Sequence, residues 1–217
     1  MSSQAATRPA GRLRRRRGPL IAAGVAILVM VVMALDTTVV PIGSESSQSD
    51  KFSPEQYGAE QFPRIRDSVE QRAVPAETLA EALAEDRSAA GEQYGVPAGI
   101  GPILPVRFTG VVGEGKSGIY TVDVEGVADE LTIRVQTGPA INGTALRDAT
   151  GDIDFGQFTN QIEYQNAGAA INDAMKAQVL ADVETGSLNG KTISVVGVFQ
   201  LINPKNWLVT PVRLEVQ

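Results

Sequence analysis

Three successive runs of period-two alternation between residues 104 and 136 restrict this chain more than any other feature. Leu104, Val106, Phe108 and Gly110 alternate with Pro105, Arg107 and Thr109. Tyr120, Val122 and Val124 alternate with Thr121, Asp123 and Glu125, and Leu131, Ile133 and Val135 with Thr132, Arg134 and Gln136. Successive side chains of a strand point to opposite faces, so each run predicts a strand with one face buried and one wet. The short glycine-containing turns between them predict antiparallel neighbours. A helical stripe follows at about residues 167–183, with Ile171, Met175 and Val179 on one face and Gly186 past its end. Two further strands, 192–201 and 207–216, are linked by Asn203-Pro204-Lys205-Asn206. Three strands, a helix and two strands is the order of a five-stranded OB-like β-barrel with one helix between strands three and four. The sequence therefore predicts an α+β chain whose barrel domain covers residues 100–217.

The other end of the chain answers to a different solvent. Residues 1–19 carry six arginines (Arg8, Arg12 and Arg14 to Arg17) and no acid. Sixteen apolar residues follow, Leu20 to Leu35. At about 1.5 Å per residue they span roughly 24 Å, and continuation to Ile42 lengthens the helix enough for a bilayer core of about 30 Å. Arginines stay on the cytoplasmic side of such a segment. Residues 1–19 are thus expected as a cytoplasmic basic tail, 20–42 as a single-pass signal anchor in the cytoplasmic membrane, and everything after it outside. Val32-Met33-Ala34 leaves open a cleaved signal peptide instead. Residues 43–51 read as a serine-rich linker. Residues 52–99 read as a helical region: Ser53-Pro54 marks its start, Phe62, Ile65 and Val69 recur at helical spacing, and Pro63 should bend or split that helix. Leu79 and Leu83 lie on a second helix, over 76–87, and residues 95–105 are Gly/Pro punctuation at a subdomain boundary.

Composition removes whole classes of chemistry. The 217 residues contain no cysteine and no histidine, which excludes disulfides, thiolate metal sites, thiol or Ser–His nucleophiles and imidazole acid–base work. Six of the 19 basic residues sit in 1–19, so residues 20–217 hold 13 basic against 25 acidic side chains. Such a body repels polyanions, and no nucleic-acid partner is expected. Residues 110–117, GVVGEGKS, match the phosphate-loop pattern in full, but a strand pattern follows where the chemistry needs a helix N-terminus. That match is expected to be a hairpin turn, with no nucleotide bound. No metal, cofactor or catalytic residue is assigned.

The densest extracytoplasmic polar cluster lies in residues 138–164. It contains Asn142, Thr144, Arg147, Asp148, Asn160 and Gln161, the candidate ligand or partner contacts, together with Asp152 and Asp154. Asp154 is expected to cap a helical turn at 155–158, and Arg147-Asp148 to form a local ion pair. The same residues could instead form a buried hydrogen-bond network that holds the barrel end shut. Trp207, the single tryptophan, is expected to pack in the barrel.

Thr137-Gly138-Pro139, Gly143-Thr144-Ala145-Leu146-Arg147-Asp148-Ala149, Phe155, Phe158-Thr159-Asn160-Gln161-Ile162 and Gly190-Lys191 resemble a bacterial family of predicted periplasmic lipoproteins, domain of unknown function 2291. The resemblance implies an exported, membrane-tethered protein of no established activity, often encoded beside carbohydrate ABC transporters. Many members carry a lipid-attachment cysteine; here Leu35-Asp36 occupies that region, which leaves the apolar segment as the tether. The expectation is a non-enzymatic accessory or binding module that touches an ABC transporter permease or a solute-binding protein. The alternatives are direct binding of a small polar ligand such as a sugar, and a hydrolase using Asp152, Asp154 or Glu163.

Overall fold

The strand alternation becomes one long ribbon around which the rest is built. The computed structural model describes residues 52–217; the basic tail 1–19, the expected anchor 20–42 with its alternative cleavage site, and the linker 43–51 lie outside the described residues. Among the described residues, no helix is long and apolar enough to cross a membrane. In chain order the elements are α1 (Pro54–Arg72), β1 (Val74–Pro75), α2 (Ala76–Glu85), α3 (Arg87–Tyr94), β2 (Ile103–Lys116), β3 (Ile119–Asp123), β4 (Thr132–Gln136), the single turn α4 (Ala145–Asp148), a 3-10 turn (Phe155–Gln157), α5 (Gln161–Met175), a π turn (Lys176–Leu180), β5 (Thr192–Gln200) and β6 (Asn206–Val216).

β2 pairs along both edges. Residues from Ile103 to Val111 run antiparallel to β5, and those from Val111 to Lys116 run antiparallel to β3. β3 continues antiparallel to β4, β4 runs parallel to β6, and β6 returns antiparallel to β5. Hydrogen bonding therefore passes through β2, β3, β4, β6 and β5 and comes back to β2. The expected clean five-stranded barrel needs correction, because the sheet has six strands. β1 adds to β2 in parallel at Val106 and Arg107, and register shifts interrupt the β2–β3 and β5–β6 ladders. β1 was invisible in the sequence because it is two residues long and one is proline. The GVVGEGKS stretch is the expected hairpin: β2 runs through Lys116, and β3 starts at Ile119.

The helices cover the start of β2, and this explains its burial. Ile103, Leu104, Pro105 and Val106 are all buried, whereas from Arg107 onward exposed and buried residues alternate. α1 buries Phe62, Ile65 and Val69, as the spacing predicted, but it is neither split at Pro63 nor capped by the Ser53 side chain. Proline removes one backbone donor, and packing outweighs that loss. A Cβ on Gly58 would collide with the carbonyl of Ala170, so the α1 and α5 backbones lie in near contact there. The C-terminal end of α1 is tied by Arg72 to the Ala149 carbonyl (2.7 Å) and by Glu70 to Arg213 (2.9 and 3.0 Å). Asp86 ends α2, which stops at Glu85, two residues before the expected 87, and caps α3, which the sequence did not resolve within the helical region, by accepting the amides of Ser88 and Ala89. Phe62, Leu79, Val106, Ile171, Phe199 and Trp207 belong to one continuous core, so residues 52–99 share their interior with the sheet. Trp207 stacks on Phe199 at 4.5 Å between centroids and donates its indole N–H to the Pro204 carbonyl at 3.0 Å.

Candidate functional site

The 138–164 connection folds through two short helical turns into α5 and brings Thr144, Arg147, Asp148 and Asp154 to the lining of one cavity. Gln136, almost wholly buried at the end of β4, fixes its entry: the side chain accepts from the Asn142 amide (2.8 Å) and donates to the Asn142 carbonyl (3.1 Å) and the Thr210 hydroxyl (2.9 Å). α4 then presents Arg147 inward, where it is 8% exposed. Its Nε and Nη2 donate to the two Asp148 carboxylate oxygens at 2.7 and 3.1 Å, and Thr144 donates its hydroxyl to Asp148 Oδ2 at 2.7 Å. The guanidinium lies 3.7 Å over the Tyr164 ring, from the first turn of α5. The expected local ion pair is present, and it is bidentate, stacked and buried. Such pairing offsets the desolvation of both charges and holds the guanidinium plane in one orientation.

This assembly forms one wall of a cavity of about 500 Å³. Asp154, Phe155 and Tyr164 continue the wall, Gln200 enters from β5, and residues 97–100 close the far side. Two larger cavities, about 660 and 560 Å³, lie between α1 and α5 and beside α3. Every charged or hydroxyl-bearing residue that lines them is exposed, whereas the smaller one holds a buried guanidinium. Convergent polar groups in an otherwise apolar hollow mark a recognition site better than volume does. Among the described residues no three carboxylates converge as a metal would require.

The candidate contacts separate into two groups. Thr144, Arg147 and Asp148 come together on the cavity wall. Asn142, Asn160 and Gln161 are exposed and are not among its lining residues. Asn160 caps α5 by accepting the Glu163 amide (3.0 Å), while Glu163 accepts the Thr159 amide (3.0 Å). This reciprocal cap starts α5 at Gln161, six residues before the expected 167. Asn160→Ala is expected to cost about 1 kcal/mol of stability, read from thermal unfolding, without altering the cavity. Asp154 caps the 3-10 turn through Gly156, as expected. Tyr164, Phe155, Gln200 and residues 97–100 were missed as site residues. Three separate segments supply them, and only the position of Phe155 within the polar run and of Tyr164 at its end hinted at a role.

A curled sheet in OB-type strand order, with an ion pair at a polar cavity, defines a small OB-like β-sheet domain. The chain belongs to the family described as "Predicted periplasmic lipoprotein (DUF2291)", whose model matches residues 25–215. That family implies an extracytoplasmic, membrane-associated location. Lipid anchoring differs, however, from the single-pass helix expected here, and the 217 residues contain no cysteine to carry a lipid. Among solved structures, a crystal structure of an OB-fold protein from Thermotoga maritima is similar over 77% of this chain and 100% of that one, with 20% identity and a TM-score of 0.60. At that identity the likeness concerns the fold alone. No curated protein matches the chain.

Proposed function

We propose that this protein is a non-enzymatic accessory module that recognises a small, neutral, hydroxylated solute in the Arg147 cavity. Residues 20–42 would hold it in the cytoplasmic membrane as a single-pass anchor, with the N-terminus inside and the recognition domain outside. It would act beside an uptake system for such solutes, touching an ABC transporter permease or solute-binding protein, as the family resemblance suggests for sugars. The observation that carries this proposal is the state of Arg147: buried, stacked on Tyr164 and already neutralised by both oxygens of Asp148. A guanidinium matched in this way has little net charge to offer an anion. The remaining charge on the lining is Asp154, which further disfavours phosphates and carboxylates. Hydroxyl donors suit Asp154 and Gln200, and an apolar sugar face suits Phe155 and Ile100.

Thermal-shift screening of the full-length chain against neutral sugars tests the solute. Binding at a hundred times Kd stabilises by about 2.7 kcal/mol, so a clear upward shift is expected. No shift at millimolar sugar would remove the solute. Crosslinking in intact cells tests the setting separately: permease or solute-binding components should be captured, and capture of unrelated proteins alone would remove the uptake role.

A further inference from the structure

The wall behind Arg147 continues as a cluster of aromatic rings that ends at the first described residue. Tyr164, under the guanidinium, meets Phe158 at 5.3 Å between centroids. Phe158 meets Phe52 and Tyr57 edge-on, both at 5.5 Å, and Phe52 and Tyr57 lie 5.4 Å apart. Phe155 branches from Tyr164 at 5.7 Å toward the cavity. Tyr164 meets Phe158 at a tilt of 52°, whereas Phe158 is edge-on to Phe52 and Tyr57; edge-to-face pairs favour particular angles, so a shift of Phe158 disturbs both of those contacts. Burial raises the Tyr57 hydroxyl pKa above its usual value, and the nearby Arg147 charge offsets part of that rise.

The start of α1 depends on this cluster. Ser53 stands at the N-cap with no side-chain cap bond, and the first turn is closed by the Tyr57 amide on the Ser53 carbonyl at 3.0 Å. An uncapped N-terminus leaves orphan donors and frays readily. Packing of Phe52 and Tyr57 on Phe158 therefore stands in for the missing cap.

We propose that occupancy of the Arg147 cavity is coupled through this ring cluster to the seating of Phe52, where the domain joins the segment before it. This rests on the recognition role of the cavity given above. A solute that fixes Arg147 and Tyr164 stabilises the docked Phe52 and the closed first turn; an empty cavity lets both loosen. Coupling of this kind is reciprocal, so seating Phe52 raises solute affinity by the same factor. The domain thereby reports its loading state to the chain that tethers it.

Hydrogen exchange on the full-length chain, with no solute present, tests the coupling. Arg147→Lys keeps the charge but loses the bidentate fork, and Phe158→Leu removes the central ring. Each is expected to speed exchange of the Tyr57 and Gly58 amides about tenfold. Arg213→Ala, which frees Glu70 near the other end of α1, should leave those amides unchanged. Unchanged exchange at Tyr57 in both Arg147→Lys and Phe158→Leu, with exchange raised over residues 144–164, would overturn the proposal. Because no solute is used, that failure is distinct from a failed sugar screen. Where a sugar does bind, Phe52→Ala should weaken it about tenfold, and an unaltered Kd would count equally against the coupling.

Discussion

Gly118→Ala is expected to unfold most of the domain at temperatures where the wild type is fully folded. Ser117 and Gly118 form the tip between β2 and β3, both at positive φ (53° and 73°). The Gly118 carbonyl accepts from the Thr137 amide (2.7 Å) and hydroxyl (3.1 Å), so the turn is fastened to the chain leaving β4. A Cβ at this position would overlap the backbone carbonyl of Gly138, and neither segment can retreat without breaking those bonds. Left-handed backbone alone costs an alanine about 1–2 kcal/mol. Displacement of a strand connection brings the total to about 4–5 kcal/mol, a large part of the 5–15 that a domain possesses. Gly190→Ala supplies the control: its φ is 77°, but a Cβ there meets nothing within 4 Å, so about 1–2 kcal/mol is expected. Fluorescence of the buried, single Trp207 reads both in a urea titration. A Gly118→Ala midpoint equal to that of Gly190→Ala would refute the close approach.

The second large effect concerns the ion pair. Asp148→Ala is expected to destabilise by about 3 kcal/mol, because it leaves the Arg147 guanidinium desolvated and without its carboxylate. The side chains are 10% and 18% exposed, so water screens little of that loss. Contact with the Tyr164 ring and carbonyl survives and keeps the figure at the lower end of the range for broken buried pairs. Combining Asp148→Ala with Arg147→Met is expected to restore stability to within about 1 kcal/mol of wild type, since removing both charges also removes their desolvation. The sugar-induced thermal shift should nevertheless be lost in the double variant. A double variant that is folded and still binds would make the pair a structural strut only. One as unstable as the single variant would show that the pair stabilises the fold outright.

Much of the architecture was legible because it is written in local periods. Alternation over 104–136 located β2 to β4, and the later apolar runs located β5 and β6 to within a residue or two. Helical spacing likewise placed Phe62, Ile65, Val69, Leu79 and Leu83 in the core. Local patterns did not resolve what a single capping side chain decides: α3 as a separate helix after Asp86, and the start of α5 after Asn160. β1 was missed for lack of any period, and α1 is not split at Pro63 because its packing on α5 outweighs the lost donor.

The candidate site was legible only as far as neighbours in sequence are neighbours in space. Arg147 and Asp148 are adjacent, so their ion pair could be read directly from the chain, whereas the Thr144 hydroxyl bond to Asp148 was seen only in the structure. Tyr164 beneath the guanidinium, Gln200 from β5 and Ile100 across the cavity come together only when the sheet curls and α5 packs on α1. Alternation, helical stripes, charge asymmetry and the absence of cysteine and histidine are properties of the sequence itself, and they determined the fold class and the chemistry available. The cavity and the ring cluster arise from contacts between residues tens of positions apart. No local pattern encodes such contacts, because burial and pairing across the core select them, and the tertiary structure alone decided them.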